Sequence, residues 1–232
     1  PEGEAMTGGP STESLDELIA RMPWLTPGRA ASPEEAAATD ARRARAEAES
    51  RLAPYVGAVP PKDRARILAR TLDSPVSGLV RRFVERYERD REAPMFWISG
   101  KSGSGKTVAC MNELVWRGGK MVSMLDLVKA MRPDAYHTLE LAELRRSILR
   151  ANVLIVDDVG VGHSPDDESP ILYDIVNARQ GLDALTFFTS NVPKTVFEKY
   201  DVRMRNRLLQ RGYAAFTDYP CLRENLSVPA KR

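Results

Sequence analysis

Gly100-Lys101-Ser102-Gly103-Ser104-Gly105-Lys106-Thr107 fits G-x-x-x-x-G-K-[ST] at every fixed position. The chemistry that this spacing serves is the holding of a polyphosphate. The glycines let the backbone curl so that successive N–H groups point at phosphate oxygens. Lys106 is placed to reach the β- and γ-phosphates, and the Thr107 hydroxyl to hold Mg²⁺. Val108, directly after the motif, belongs to the same phosphate-binding stretch. A flexible loop of alternating Gly and Ser is the plain alternative, and the Lys-Thr ending speaks against it.

A second set of chemistry-bearing residues lies downstream. Val153-Leu154-Ile155-Val156 is a short apolar run that ends in two carboxylates, Asp157 and Asp158. Acids at the carboxyl end of a buried strand are the Walker B arrangement, and open parallel sheets bind ligands at that end. Asp157 is the expected Mg²⁺ ligand, directly or through water. Asp158 is the expected group to polarise an attacking water. Thr189-Ser190-Asn191 ends the next apolar run, and the Asn191 amide both donates and accepts, which suits a γ-phosphate and a water. Arg203 and Arg207 are four apart and share one helix face. A guanidinium there suits the transferring phosphoryl group of a neighbouring subunit, whereas taken alone a basic surface helix is the plainer reading.

These residues need elements to carry them. Met95-Phe96-Trp97-Ile98-Ser99 reads as a buried strand and Val108 to Trp116 as a helix, so the glycine-rich turn feeds a helix N-terminus that favours anions. From Met95 onward short apolar strands alternate with helices, the pattern of βαβ units on a parallel sheet. Further strands are expected at Lys120–Leu125, Val153–Val156, Leu185–Thr189 and Tyr213–Phe216. Helices are expected at Asp126–Met131, Leu139–Leu149, Ile171–Arg179 and Val202–Gln210. Upstream, Ser32-Pro33-Glu34-Glu35 is a capping box that opens a helix to about Arg51. Helices follow at Lys62–Leu72 and from Ser74-Pro75, the latter with an apolar stripe of Val76, Leu79, Val80, Phe83, Val84 and Tyr87. Arg81, Arg82, Arg86, Arg89 and Arg91 lie off that stripe among acids, which reads as a solvated face.

The order of phosphate loop, Asp-Asp strand, Ser-Asn strand end and Arg-x-x-x-Arg helix resembles the AAA+ ATPases. Within them the chain looks like the DnaC/IstB group, which comprises replicative helicase loaders and ATPase helpers of transposition. The resemblance runs from about Leu79 to Arg211. It is carried by Gly100–Thr107, Asn112-Glu113-Leu114 with Arg117-Gly118, Val153–Gly160, Ile175–Arg179, Thr189–Asn191 and Arg203–Leu208. It implies ATP and Mg²⁺ as ligands, Asn191 as sensor 1, Arg207 as the arginine finger and Arg203 as a second interface arginine. Where many related ATPases place Glu, this chain has Asp158, one methylene shorter, which bears on hydrolysis more than on binding. The chain ends 41 positions after Asn191, leaving little room for a helical lid, and the DnaC/IstB group likewise lacks a full one.

The fold class expected is therefore α/β, a P-loop AAA+ parallel sheet flanked by helices and preceded by a small helical region. The expected organisation is a disordered start over residues 1–31, a helical region over 32–92 and the ATPase core over 93–232. Within the start, Leu15, Leu18, Ile19, Met22 and Trp24 form a short amphipathic segment, suited to a partner or to its own chain.

At 43% hydrophobic residues the 232-residue chain can build a globular core. It has no run of about 18 apolar residues, so no membrane span is expected. Pro1–Pro10 has neither a basic nor an apolar leader region, so no signal peptide is expected. Two cysteines are too few for a disulfide framework, and a reducing cytoplasm is the default. The net charge of +2 does not announce nucleic acid. His137 and His163 are isolated, and no metal beyond Mg²⁺ is expected.

The resemblance adds DNA, single-stranded by preference, with Arg145, Arg146, Arg150, Lys120 and Lys129 as candidate contacts. It also adds a homo-oligomer with shared ATP sites and a replicative helicase or a transposase as partner. A helicase loader is the leading expectation and a transposition helper the rival. A P-loop phosphotransferase acting on a small molecule is the third, and it explains neither Asn191 nor the arginine helix.

Overall fold

A computed structural model describes residues 32–130 and 139–222. The Leu15–Trp24 segment, Met131 and His137 lie outside the described residues. By its contacts the chain divides into Pro1–Arg43 and Ala44–Arg232. In the first unit, Ser32 and Glu35 form the expected capping box: Glu35 N donates to Ser32 Oγ at 3.2 Å and Ser32 N to Glu35 Oε2 at 2.8 Å. They open helix α1, Pro33–Leu52.

The second unit is a five-stranded sheet with helices on both faces. Its strands are β1 (Met95–Gly100), β2 (Gly119–Ser123), β3 (Val153–Val159), β4 (Leu185–Ser190) and β5 (Gly212–Thr217), in the order β2-β3-β4-β1-β5. Every pairing is parallel. Both faces are covered, which is why the strands read as unbroken apolar runs rather than as alternation.

Along β1, Phe96 and Ile98 point into one core with α2 (Pro61–Leu68), α3 (Pro75–Asp90) and α4 (Lys106–Arg117). Met95 and Trp97 point into the other, with α5 (Met124–Ala130), α6 (Leu139–Leu149), α7 (Pro165–Arg179), α8 (Lys194–Phe197) and α9 (Val202–Gln210). Phe83 of α3 stacks on Phe96 with ring centroids 4.5 Å apart. Trp97 meets Phe197 edge-on at 4.8 Å and Tyr200 at 5.6 Å. Each such buried ring contributes about 1.5–3 kcal/mol, and together they fix β1, and so the loop that leaves it, against both layers. Cys110 is buried in the first core, as a small residue there should be.

The expected fold class is met, with boundary corrections that have local causes. Met124 and Leu125 begin α5 rather than ending β2, because Ser123 Oγ accepts from Asp126 N at 3.1 Å and so caps the helix two residues early. Helix α7 begins at Pro165, not Ile171, because Ser164 and Asp167 form a second capping box with Pro165 at the first position. Helix α2 stops at Leu68 and not Leu72. Arg70 takes a left-handed φ of 55° there, and Thr71 N closes the end by donating to Arg66 O at 2.9 Å. Among the described residues no helix is long and apolar enough to cross a membrane.

Candidate functional site

The loop Gly100–Gly105 joins β1 to α4. Gly103 and Gly105 have φ of 78° and 92°, conformations that side-chain-bearing residues seldom adopt. Gly100 is needed for a different reason: a Cβ there would lie 2.3 Å from Thr217 Oγ1 of the adjoining β5. Ser104 Oγ is buried and has no hydrogen-bond partner among the described residues, and Ser104 does not line the cleft that its neighbours Gly103 and Gly105 do.

Lys106 is 5% exposed. Its Nζ donates to Gly100 O and Lys101 O, both at 2.9 Å, and to Asn191 Oδ1 at 2.8 Å. Burial lowers the pKa of its ammonium, while the charges of Asp158 and Asp157 pull it back up.

Strand β3 brings the two carboxylates. Its pairing with β4 jumps from Val156/Phe188 to Val159/Ser190, so Asp157 and Asp158 lie in a bulge, a device that re-aims side chains beside sites. Asp158 has φ 56°; Asp tolerates this region better than most residues. Asp157 Oδ1 accepts from Thr107 Oγ1 at 2.8 Å and from Thr189 Oγ1. Burial raises its carboxyl above the ordinary aspartate range, opposed by the Thr189 and Thr107 hydroxyls and reinforced by the charge of Asp158. Asn191 Nδ2 donates to Asp158 Oδ1 at 3.1 Å. Asn191 therefore joins Lys106 on one side to Asp158 on the other.

Lys106, Thr107, Asp157, Asp158 and Asn191, with Ser102, Gly103, Gly105 and Val108, line one cleft of about 620 Å³. That is within the span of about 300–1,000 Å³ usual for small-molecule sites. The residues fit a magnesium nucleotide. Two oxygen donors, Thr107 Oγ1 and Asp157 Oδ1, meet where a hard cation would sit, and the Asp157 carboxylate there lacks a cationic hydrogen-bond partner among the described residues.

Arg203 and Arg207 do not line this cleft. Arg203 is exposed and pairs with Asp201 at 3.4 Å. Arg207 Nη1 donates to Gln180 Oε1 at 2.9 Å, and its guanidinium lies 5.6 Å from the Tyr173 ring centre. Of the candidate DNA contacts, Arg146, Arg150 and Lys129 are exposed. Arg145 pairs with Asp174 at 3.5 Å, and Lys120 Nζ donates to Ser147 Oγ at 2.8 Å.

Sequence reasoning missed two parts of the site. Thr189 was read only as part of a strand end, yet its hydroxyl also accepts from Asp158 N at 3.2 Å and so ties both carboxylates to β4. The cleft is also walled by Gly57, Ala58 and Pro60 from before α2 and by Leu222. Leu222 N donates to Gly103 O at 2.9 Å. A Gly/Pro break and a tail residue carry no local signal for such a role.

No family model matches the chain, and no curated protein matches it in sequence. Solved structures do. DnaI superposes with a TM-score of 0.51 at 21% identity, over 62% of this chain and 86% of that one. A DNA replication initiation factor gives 0.50 at 19%, over 63% of this chain and 47% of that one. The DnaC helicase loader gives 0.49 at 15%, over 67% and 90%. The chain thus spans about half the length of the initiation factor. The likeness to DnaI and the initiation factor shows the fold, a parallel sheet flanked by helices.

Proposed function

We propose that this chain binds and hydrolyses ATP as a DNA-associated assembly factor of the DnaC/IstB type, in the role of a replicative helicase loader. The observation that carries the reading is the split of the site. Lys106, Thr107, Asp157, Asp158 and Asn191 converge in one cleft, whereas the two arginines expected to complete it lie outside it in the same chain. A neighbouring copy would then bring Arg207 to the cleft, making nucleotide state a condition of assembly.

In this account the loop amides and Lys106 hold the β- and γ-phosphates of ATP. Thr107 and Asp157 are the residues that would hold Mg²⁺, which when bound supplies charge neutralisation at the phosphates. Asp158 orients a water and takes up its proton, while Asn191 fixes the water and γ-phosphate between Asp158 and Lys106. Arg207 of the next copy stabilises the charge that develops on the transferred group. The fold shared with a DNA replication initiation factor supports replication as the setting, and Arg146, Arg150 and Lys129 are available to track a DNA backbone.

The test is sedimentation of the purified chain with single-stranded DNA, with and without ATP, followed by addition of the replicative helicase or the transposase of the same cell. ATP-dependent assembly that retains the helicase is expected, and DNA binding should weaken steeply with salt. Retention of the transposase instead would replace the loader role with that of a transposition helper. Assembly indifferent to ATP would contradict the reading.

A further inference from the structure

Glu168 of α7 is 0% exposed, a sealed carboxylate whose hydrogen-bond partners, Gly160 and Tyr200, do not line the nucleotide cleft. Its oxygens accept from Gly160 N at 2.9 and 3.2 Å and from the Tyr200 hydroxyl at 2.6 Å. Burial raises its carboxyl above the usual range, and the bonds from Tyr200 and Gly160 oppose this; His163 and Asp167 are the other titratable side chains nearby. Burying a carboxylate costs several kcal/mol unless donors replace its water. The Gly160 N–H, shared between both oxygens, and the Tyr200 hydroxyl are two such donors, and they mark a fixed junction rather than incidental packing.

What the junction connects gives it meaning. Gly160 lies two residues beyond Asp158, at the end of the bulged turn. It has φ 83°, and a Cβ there would lie 2.6 Å from Val192 Cγ1 and 3.2 Å from the Tyr200 hydroxyl. Val192 follows Asn191, so the turn after Asp158, the loop of Asn191 and Tyr200 pack directly on one another. On the other side, Tyr200 precedes Asp201, whose carboxylate caps α9 by accepting from Arg203 N at 2.7 Å and Met204 N at 3.3 Å. Asp201 N in turn donates to Ser169 Oγ at 3.0 Å, next to Glu168 on α7. Helix α9 carries Arg203 and Arg207.

We propose that Glu168 is a positioning residue that, through Gly160 and Tyr200, couples the Asp158–Asn191 side of the nucleotide cleft to helix α9 of the same chain. A chain that has nucleotide in its own cleft would thereby set the arginine it offers to its neighbour. Rigid elements tied at a single buried polar node move together, because a half-broken node leaves a buried charge unpaired. The inference rests on the nucleotide reading of the cleft.

The test is hydrogen–deuterium exchange on the full chain, at a concentration where light scattering shows monomers, with and without a non-hydrolysable ATP analogue and Mg²⁺. In the wild type, nucleotide should slow exchange both at 100–107 and at 202–210. Tyr200→Phe keeps the ring and loses the hydroxyl; Glu168→Gln keeps the shape and loses the charge. Both should keep the slowing at 100–107 and lose it at 202–210. Ser169→Ala, which removes the tie to Asp201 together with the bond from Ser169 Oγ to Pro165 O at 2.6 Å within α7, should weaken the response at 202–210, and it serves as the variant if the buried pair does not tolerate change. Slowing at 202–210 that survives in these variants overturns the coupling, as does a wild type that responds at 100–107 alone. A wild type that does not respond at 100–107 overturns the nucleotide reading, and the coupling with it.

Discussion

Asn191 Oδ1 accepts a hydrogen bond from Lys106 Nζ at 2.8 Å, across 85 positions of sequence. The same amide donates to Asp158 at 3.1 Å. One neutral side chain thus spaces an ammonium from a carboxylate that would otherwise collapse into an ion pair. Such a pair would draw Asp158 toward the ammonium and away from any water. Asn191→Ala is expected to remove turnover while leaving ATP affinity within about tenfold, since Lys106 keeps its bonds to Gly100 O and Lys101 O. Turnover and affinity measured on the same preparation check this.

Asp157 gives the nucleotide-free protein a pH signature. Burial holds its carboxyl above the value it has in the unfolded chain. Its contribution to stability is therefore complete below the ordinary aspartate range and lost as pH rises through the raised value. Asp157→Asn cannot lose it. The nucleotide-free variant should melt above the wild type at neutral pH, with the difference shrinking as pH falls below the aspartate range. Melting curves across that range in chelator give the answer; a variant that melts lower at neutral pH would reverse the sign.

Arg207 should separate binding from turnover. Arg207→Ala is expected to bind ATP normally and to lose about 10³–10⁵ in rate, the contribution of such arginines in related sites. Asp158→Ala fails for the opposite reason. Mixing the two inactive variants should restore some activity, because a mixed pair contains one intact site. Two inactive proteins that stay inactive when mixed would place both groups in one chain's chemistry.

Arg179 makes a structural prediction. It is buried without a carboxylate partner among the described residues and donates to Thr186 Oγ1 at 2.7 Å, Leu149 O and Ala151 O at 2.9 Å, and Leu185 O at 3.0 Å. Burial lowers its pKa to about 10, still charged at neutral pH. The guanidinium fork gathers the end of α6 and the start of β4. Arg179→Met should cost about 3 kcal/mol or more, because each orphaned carbonyl carries a penalty of about 1–3 kcal/mol. Arg179→Lys should recover little, lacking the planar fork. Urea unfolding measures both.

Much of this fold is written in local pattern. The strands are apolar runs because both faces are covered, and the phosphate loop and the Asp-Asp strand end declare themselves by spacing. The second capping box, Ser164-Pro165-Asp166-Asp167, was as legible as Ser32-Pro33-Glu34-Glu35 but is followed by Pro170, which reads as a break and hides the early start of α7. Thr189, Leu222 and Glu168 were not legible. Their partners, Asp157, Gly103 and Tyr200, are far away in sequence, and only the folded sheet brings them together. Arg179 stood within the stretch that carried the family resemblance, yet nothing in its spacing announces a buried guanidinium.

Every role proposed for the chain depends on ATP binding in the cleft at Lys106. Titration of the purified wild type and of Lys106→Ala with a fluorescent ATP analogue in Mg²⁺ tests it most directly. Saturable binding to the wild type, displaced by unlabelled ATP, is expected, and none measurable in a folded Lys106→Ala chain. Undiminished affinity in that variant would contradict it.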